Sequence, residues 1–241
     1  MTADAFDQQV TSVAALGEPV RRELYRYVVA QPEPVSREHA ANGVGVPHHV
    51  AKFHLDKLEE DGLLEVEYRR PPGRSGPGAG RPAKLYRRAA RHIAVSLPER
   101  RYDLAGHVLA EAVSAAQRAG LPVDDLVRSA ARAAGRALVA RPGGPGTRPA
   151  DPLGAATAAL AANGYEPRLA DGRITLANCP FHELAASHRA LVCALNLDLV
   201  KGLLGTLAPA GLSARLDPSP GRCCVVVTGP AATGRSKPIR R

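Results

Sequence analysis

Cysteine is scarce in this sequence: four in 241 residues are too few for a disulfide scaffold, so a reducing interior is the expected setting. Long apolar runs are missing as well, since no stretch approaches the ~18 uninterrupted apolar residues of a membrane span. The opening residues, Met1-Thr-Ala-Asp-Ala-Phe-Asp-Gln-Gln, are acidic and polar where a secretory signal is basic and then apolar. A soluble cytoplasmic chain is therefore expected. Walker, Rossmann and nucleophile-elbow motifs are lacking, so an enzyme built on Cys179 with His182 or His188 has no motif behind it. No repeat period stands out, which argues against a solenoid. What is present is ordinary for a folded protein, because 45% hydrophobic and 23% charged residues exclude a wholly disordered chain. At ~100–200 residues per domain, the length fits one large domain or two small ones.

The net charge of +9 is unevenly placed. Residues 1–65 sum to −5, residues 66–91 to +7, residues 92–234 to +3 and residues 235–241 to +4. A run of like charge is either a solvated face or an element that tracks phosphates, since clustered Arg neutralises nucleic-acid charge and releases counterions. The neighbouring sequence has to decide.

Two Pro/Gly-rich stretches, residues 71–82 and 141–152, cannot hold a helix or a central strand and read as loops. Before the first, Val20, Leu24, Tyr27 and Val28 form an amphipathic helical stripe that stops at Gln31-Pro-Glu-Pro. Ser36 reads as the N-cap of a short second helix reaching Ala41. Asn42-Gly-Val-Gly-Val turns the chain, Pro47 opens a third helix, and Gly62 closes it. Leu64, Val66 and Tyr68 then alternate along one strand, and Lys84-Leu-Tyr-Arg returns as another. Helix, helix, tight turn, helix and a hairpin with a basic tip make a winged helix-turn-helix layout.

On a wheel of 3.6 residues per turn, Ala51, Leu55, Leu58 and Gly62 face inward, while His49, Lys52, Phe53 and Asp56 face outward and His48 stands at the exposed start. An outward Phe53 suits thymine methyls or sugars in a major groove better than it suits water. Arg37, His48, His49, Lys52 and Lys57 are candidate contacts to bases or phosphates. The wing adds Arg69, Arg70, Arg74, Arg81 and Lys84, with Arg87 behind them, and Arg on a Gly/Pro tip suits a minor groove or the phosphate backbone. The bland alternatives are an αα-hairpin packed on a β-hairpin with no DNA role, and a merely solvated His48-His49 turn. The stretch Val50-Ala-Lys-Phe-His-Leu-Asp-Lys-Leu-Glu-Glu-Asp-Gly-Leu-Leu resembles the recognition-helix region of ArsR-type winged-helix regulators, over roughly residues 15–90. That resemblance implies an operator in double-stranded DNA as partner. One winged helix reads only a few base pairs, so a homodimer on a palindromic operator is expected. The Ala-rich helical segments at 104–119 and 123–140 are equally candidates for the dimer contact and for intradomain core.

From Asp151 the pattern is helix at 153–162, short strands at 166–169 and 173–176 around Asp171-Gly172, mostly helix at 184–207, and a closing β-pair at 212–216 and 223–227. The expected fold class is α+β. It comprises a winged helix-turn-helix over 1–92, a helical linker or dimerisation region with a flexible loop over 93–150, a small α+β sensor domain over 151–228 and a basic disordered tail over 229–241. All four cysteines fall in the second half, at spacings unlike a zinc finger and with no Cys-x-x-Cys. Their chemistry leaves three readings open: small buried hydrophobes, a thiol pair that senses oxidants, or a metal or iron–sulfur site.

Asn178-Cys-Pro-Phe-His182, Cys193, Gly202-Leu-Leu and Gly221-Arg-Cys223, following a winged helix with Gly80-Arg-Pro and Tyr86 at its exit, resemble the SufR-like iron–sulfur regulators. The resemblance implies a repressor whose operator binding responds to an iron–sulfur cluster, 2Fe–2S or 4Fe–4S, held by Cys179, Cys193 and one of Cys223 and Cys224. The doubled cysteine departs from the simplest form of that pattern. Strand alternation would turn the pair to opposite faces, and Val225 and Val227 favour Cys223 as the inward one. His182, three residues after Cys179, is the candidate fourth ligand, with His188 behind it. A winged-helix regulator with a thiol-redox or ligand-sensing second domain and no cluster is the alternative.

Overall fold

Glu18 sets the first long helix of the N-terminal fold: its carboxylate accepts the backbone N–H groups of Val20 and Arg21 and so caps α2 (Pro19–Ala30), which follows α1 (Ala3–Ala15). The structure is a computed structural model, and the described residues are 3–69, 82–139, 150–207 and 211–229. The chain divides into two units, Thr2–Val95 and Ser96–Arg241.

In the first unit the Ser36 hydroxyl accepts the His39 N–H and caps α3 (Arg37–Val44), and Gly45 ends that helix at φ 75°. The recognition-type helix α4 (His48–Glu60) begins one residue after the expected Pro47, which takes the N-cap position instead. It closes through Gly62 at φ 72°, with the Leu63 N–H returning to the Leu58 carbonyl at 2.9 Å. The chain then forms β2 (Leu64–Arg69) and β3 (Ala83–Arg88), and β3 also pairs with β1 (Val35–Ser36), giving the antiparallel order β1-β3-β2. Tyr86 lies opposite both Val35 and Val66 and is fully buried. Leu24, Val28, Leu55 and Leu58 close the core beneath it. Burying each such side chain contributes roughly 1.5–3 kcal/mol, which fixes the apolar face of α4 inward and leaves its other face to solvent.

Two elements of this unit were not expected. In α1 the Thr11 hydroxyl bonds back to the Asp7 carbonyl, and the Ser12 hydroxyl reaches the Asp61 carbonyl at 2.7 Å, so polar side chains that usually disrupt a helix serve it here. β1 is two residues long, too short for alternation to show.

The second unit contains α5 (Tyr102–Ala119), α6 (Val123–Ala137), α7 (Pro152–Ala161), β4 (Pro167–Ala170), β5 (Arg173–Leu176), α8 (His182–Ser187), α9 (Arg189–Leu207), β6 (Ser213–Leu216) and β7 (Val225–Thr228). The strands form one antiparallel sheet in the order β4-β5-β7-β6. Asp171 and Gly172, both at positive φ, make the tight turn between β4 and β5. Ile174 pairs with Val227 in the sheet and is buried against the same core as Leu195, Leu199 and Leu203 of α9. By length and composition α9 is apolar enough to cross a membrane, but it is the central core helix of this unit and carries the buried Asp198, which binds Arg132 at 2.8 Å.

Here the structure corrects the expected domain plan. The boundary falls between Val95 and Ser96, and α5 and α6 belong to the second unit instead of linking two domains. Their buried stripes, Ala105-Val108-Ala112 and Val127-Ala131-Gly135, are small residues that let helices approach closely. A Cβ at Gly135 would strike the Leu199 carbonyl and one at Gly202 the Arg132 carbonyl, so α6 and α9 meet backbone to backbone. The loop at 141–149 and the tail beyond Gly229 lie outside the described residues.

Candidate functional site

Two places gather the residues singled out in the sequence. On α4, the wheel sets Ala51, Leu55 and Leu58 fully inside and leaves His48, His49, Lys52 and Phe53 exposed. Phe53 is 64% exposed, its ring edge-on to His54 with centroids 5.1 Å apart. An apolar ring this open is costly in water unless something covers it.

Asp56, expected to point freely outward, is instead the hub of a network. Lys84 Nζ lies 2.8 Å from its Oδ1 and the Tyr86 hydroxyl donates to the same atom at 2.6 Å. Arg37 Nε donates in turn to the Tyr86 hydroxyl at 3.0 Å, and its guanidinium stands 3.6 Å from Asp56. Lys84 also binds Glu59. Burial alone would raise the Asp56 pKa, but the hydrogen bonds from Lys84 and Tyr86 outweigh it and hold the carboxyl below its ordinary range. Lys84 shows the mirror image: burial works against its charge, and Asp56 and Glu59 hold its pKa above the usual lysine value. The hydrogen bond to Tyr86 raises that of Arg37.

This network engages several of the cations expected as DNA contacts. Arg37 and Lys84 are spent within the fold, tying α3 and β3 to α4. Lys57 pairs with Asp61 at 3.0 Å, Arg69 with Glu67 at 2.6 Å and Arg87 with Glu65 at 2.7 Å. Lys52 is 56% exposed and only 3.9 Å from Asp56 at its nearest, against 19% for the side chain of Lys84. His48, His49, Lys52 and Phe53 thus form the open face. Arg70, Arg74 and Arg81 fall outside the described residues. Sequence gave no sign of the Asp56 network, because its partners come from three elements that only the folded chain brings together.

The second place is a cleft of about 270 Å³ in the second unit, lined by all four cysteines with His182, Arg189 and Arg222. Cys179 sits in the turn between β5 and α8, Cys193 on α9, and Cys223 and Cys224 in the loop before β7. The Cys179 turn is pinned by Asn178, whose amide donates to the carbonyls of Gly164 and Glu99, and by Arg100, which donates to the Asn178 side chain and to the Cys179 carbonyl. The Cys223 N–H donates to the Leu176 carbonyl at 2.9 Å, anchoring the other wall.

Cys223 and Cys224 precede β7, so strand alternation does not apply to them and both line the cleft. His182 lines it too, whereas His188 follows α8 and is not among the lining residues. Its interaction with Cys223 and burial push the pKa of the Cys179 thiol far up. For Cys223 the contact from Cys179 lowers the pKa, but its own bond to Cys224 and burial prevail and place it at about 11. Beneath the sulfurs Asn196 Nδ2 donates to Cys223 Sγ at 3.3 Å, and the buried Tyr165 hydroxyl donates to Asn196 Oδ1 at 2.6 Å. Among the described residues, no three His, Cys, Asp or Glu side chains stand ready-placed as a metal cage. The donor chemistry nonetheless fits a thiophilic group, since soft sulfurs from a turn, a helix and a loop face one space beside two guanidinium groups that offset thiolate charge.

Comparison with known proteins bears on the first of these places. Residues 16–67 match a family model described as a helix-turn-helix domain, a segment that spans α2, α3, α4 and most of β2. No curated protein and no solved structure matches the chain. The N-terminal unit carries a helix-turn-helix domain of the kind that DNA-binding transcriptional regulators use.

Proposed function

We propose that the protein is a winged helix-turn-helix regulator, acting as a repressor, whose operator binding is governed by an iron–sulfur cluster in the cysteine cleft. The observation that carries this reading is the meeting of four sulfurs from three separate segments on one cleft. In it Cys179, Cys193 and Cys223 supply the thiolates, His182 is the fourth ligand, and Arg189 and Arg222 balance the negative charge. A bound cluster would supply a redox-sensitive cross-link among the Cys179 turn, α9 and the loop before β7. Losing that link biases a two-state equilibrium of the second unit, and the DNA-binding homodimer on a palindromic operator reads the shift. On α4, Phe53, His48 and His49 meet base edges and Lys52 meets phosphate.

One observation favours a second reading. Cys179 and Cys223 line one cleft, two thiols that a peroxide could convert to a disulfide and water with no cluster involved. Anaerobic purification with iron and sulfide analysis separates the two. The cluster reading expects brown protein absorbing at about 400–450 nm, bleached in Cys193→Ser. Colourless anaerobic protein with stoichiometric zinc, or with no metal, overturns it.

A further inference from the structure

Asn196 lies on α9 with no exposed surface, between the apolar core and the cysteine cleft. A buried amide costs free energy unless both its ends find partners. Its oxygen is well served by the Tyr165 hydroxyl at 2.6 Å. Its N–H group is aimed at Cys223 Sγ at 3.3 Å, and a protonated thiol is a weak acceptor. The same sulfur as a thiolate is an anion, for which a fixed amide donor is a strong partner. The core therefore holds a buried, fixed amide donor aimed at one sulfur of the cleft, the geometry that suits a metal-bound thiolate. Cys224 lines the same cleft, yet among the described residues the amide points to Cys223 and not to its neighbour.

We propose that Asn196, held in place by Tyr165, is a positioning residue that makes Cys223 the metal-binding thiolate of the cleft in preference to Cys224. When a soft metal ion displaces the Cys223 proton, the amide N–H bonds to the resulting thiolate and fixes its direction. Partners of this kind, one step behind a ligand, typically change metal affinity about 10- to 100-fold. The inference rests on the cleft being a thiophilic site, as proposed above, but not on the group being an iron–sulfur cluster.

The test titrates cadmium ion alone into the reduced, metal-free, full-length protein and follows the thiolate-to-cadmium absorption in the ultraviolet. Cys223→Ser should weaken binding about 100-fold, whereas Cys224→Ser should stay within about threefold of the parent. The double variant Tyr165→Phe/Asn196→Leu replaces both polar partners with apolar groups of similar shape, a change that costs a fold little. It should bind cadmium about 10- to 100-fold more weakly with its urea midpoint nearly unchanged, and adding either serine substitution to it should now have the same effect. A merely structural pair would do the reverse, lowering the midpoint and leaving affinity alone. Parent-like binding by the double variant, or equal losses in the two single serine variants, overturns the role of Asn196 while leaving the cleft reading intact. A parent protein that takes up no cadmium overturns both.

Discussion

The two units support their candidate sites with polar groups of opposite kinds. In the first, Asp56 sits half-buried at the edge of α4 and collects full charges from Lys84 and Arg37, with Tyr86 between them. In the second, Asn196, Tyr165 and Cys223 form a chain of neutral groups deep in the core. A charged hub at a surface edge holds α4 rigidly against β3 and leaves a presented face whose remaining charge acts outward. A neutral chain beneath the sulfurs sets one fixed amide donor on Cys223 and brings no charge to the cleft floor. Under the proposed function, the first arrangement presents a face to a polyanion and the second backs a thiophilic cleft.

The largest effect expected from breaking this contrast is on the presented face. If the ring meets groove methyls as proposed, Phe53→Ala should lower operator affinity about tenfold in a gel-shift titration, while leaving the ultraviolet cadmium signal of the second unit unchanged. Next, Asp56→Ala takes one partner each from Lys84, Arg37 and Tyr86 and should cost about 1–2 kcal/mol in urea unfolding, the lower part of the range for such bonds because Asp56 is partly solvated. The same network has a pH signature. The Asp56 pKa is depressed below its ordinary 3.8, so its stabilisation is complete above about pH 4 and is lost as the pH falls through the lower folded value. Acid titration of the urea midpoint should show that limb in the parent and a flatter one in Asp56→Asn. The smallest effect sharpens the division of labour among lysines. Lys52→Ala should reduce the slope of log K against log salt by about 0.9, whereas Lys84→Ala should leave the slope alone and weaken the fold. Equal slopes for the two variants would mean that the Asp56 network does not withhold Lys84 from DNA.

Much of the first unit was legible because local signals agreed. Ser36, Gly62 and the Ala51-Leu55-Leu58 stripe each marked a helix end or face through chemistry that acts within a few residues. The Asp171-Gly172 turn and the strand at 173–176 were legible for the same reason. What escaped were features made by distant partners. Lys84 and Arg37 look like free cations along the chain, and only the pairing of β3 with β1 and its packing on α4 bring both to Asp56. The stripes of α5 and α6 were visible, but nothing in a stripe of small residues says whether another copy or α9 covers it. The convergence of Cys179 and Cys193 with the Cys223 loop was anticipated from family likeness, whereas the facing of Cys224 was misjudged, because the last strand begins two residues later than its composition implies.

The contact of α6 with α9 through Gly135 and Gly202 has a mechanical meaning. Side chains between two helices act as a cushion, since rotamers can shift and absorb a displacement of a few tenths of an ångström. Here the Leu199 and Arg132 carbonyls abut the neighbouring helix with no such layer between. The helix that bears Cys193 and the helix beside it therefore behave as one stiff beam, and a push at the sulfur end arrives at α6 undamped.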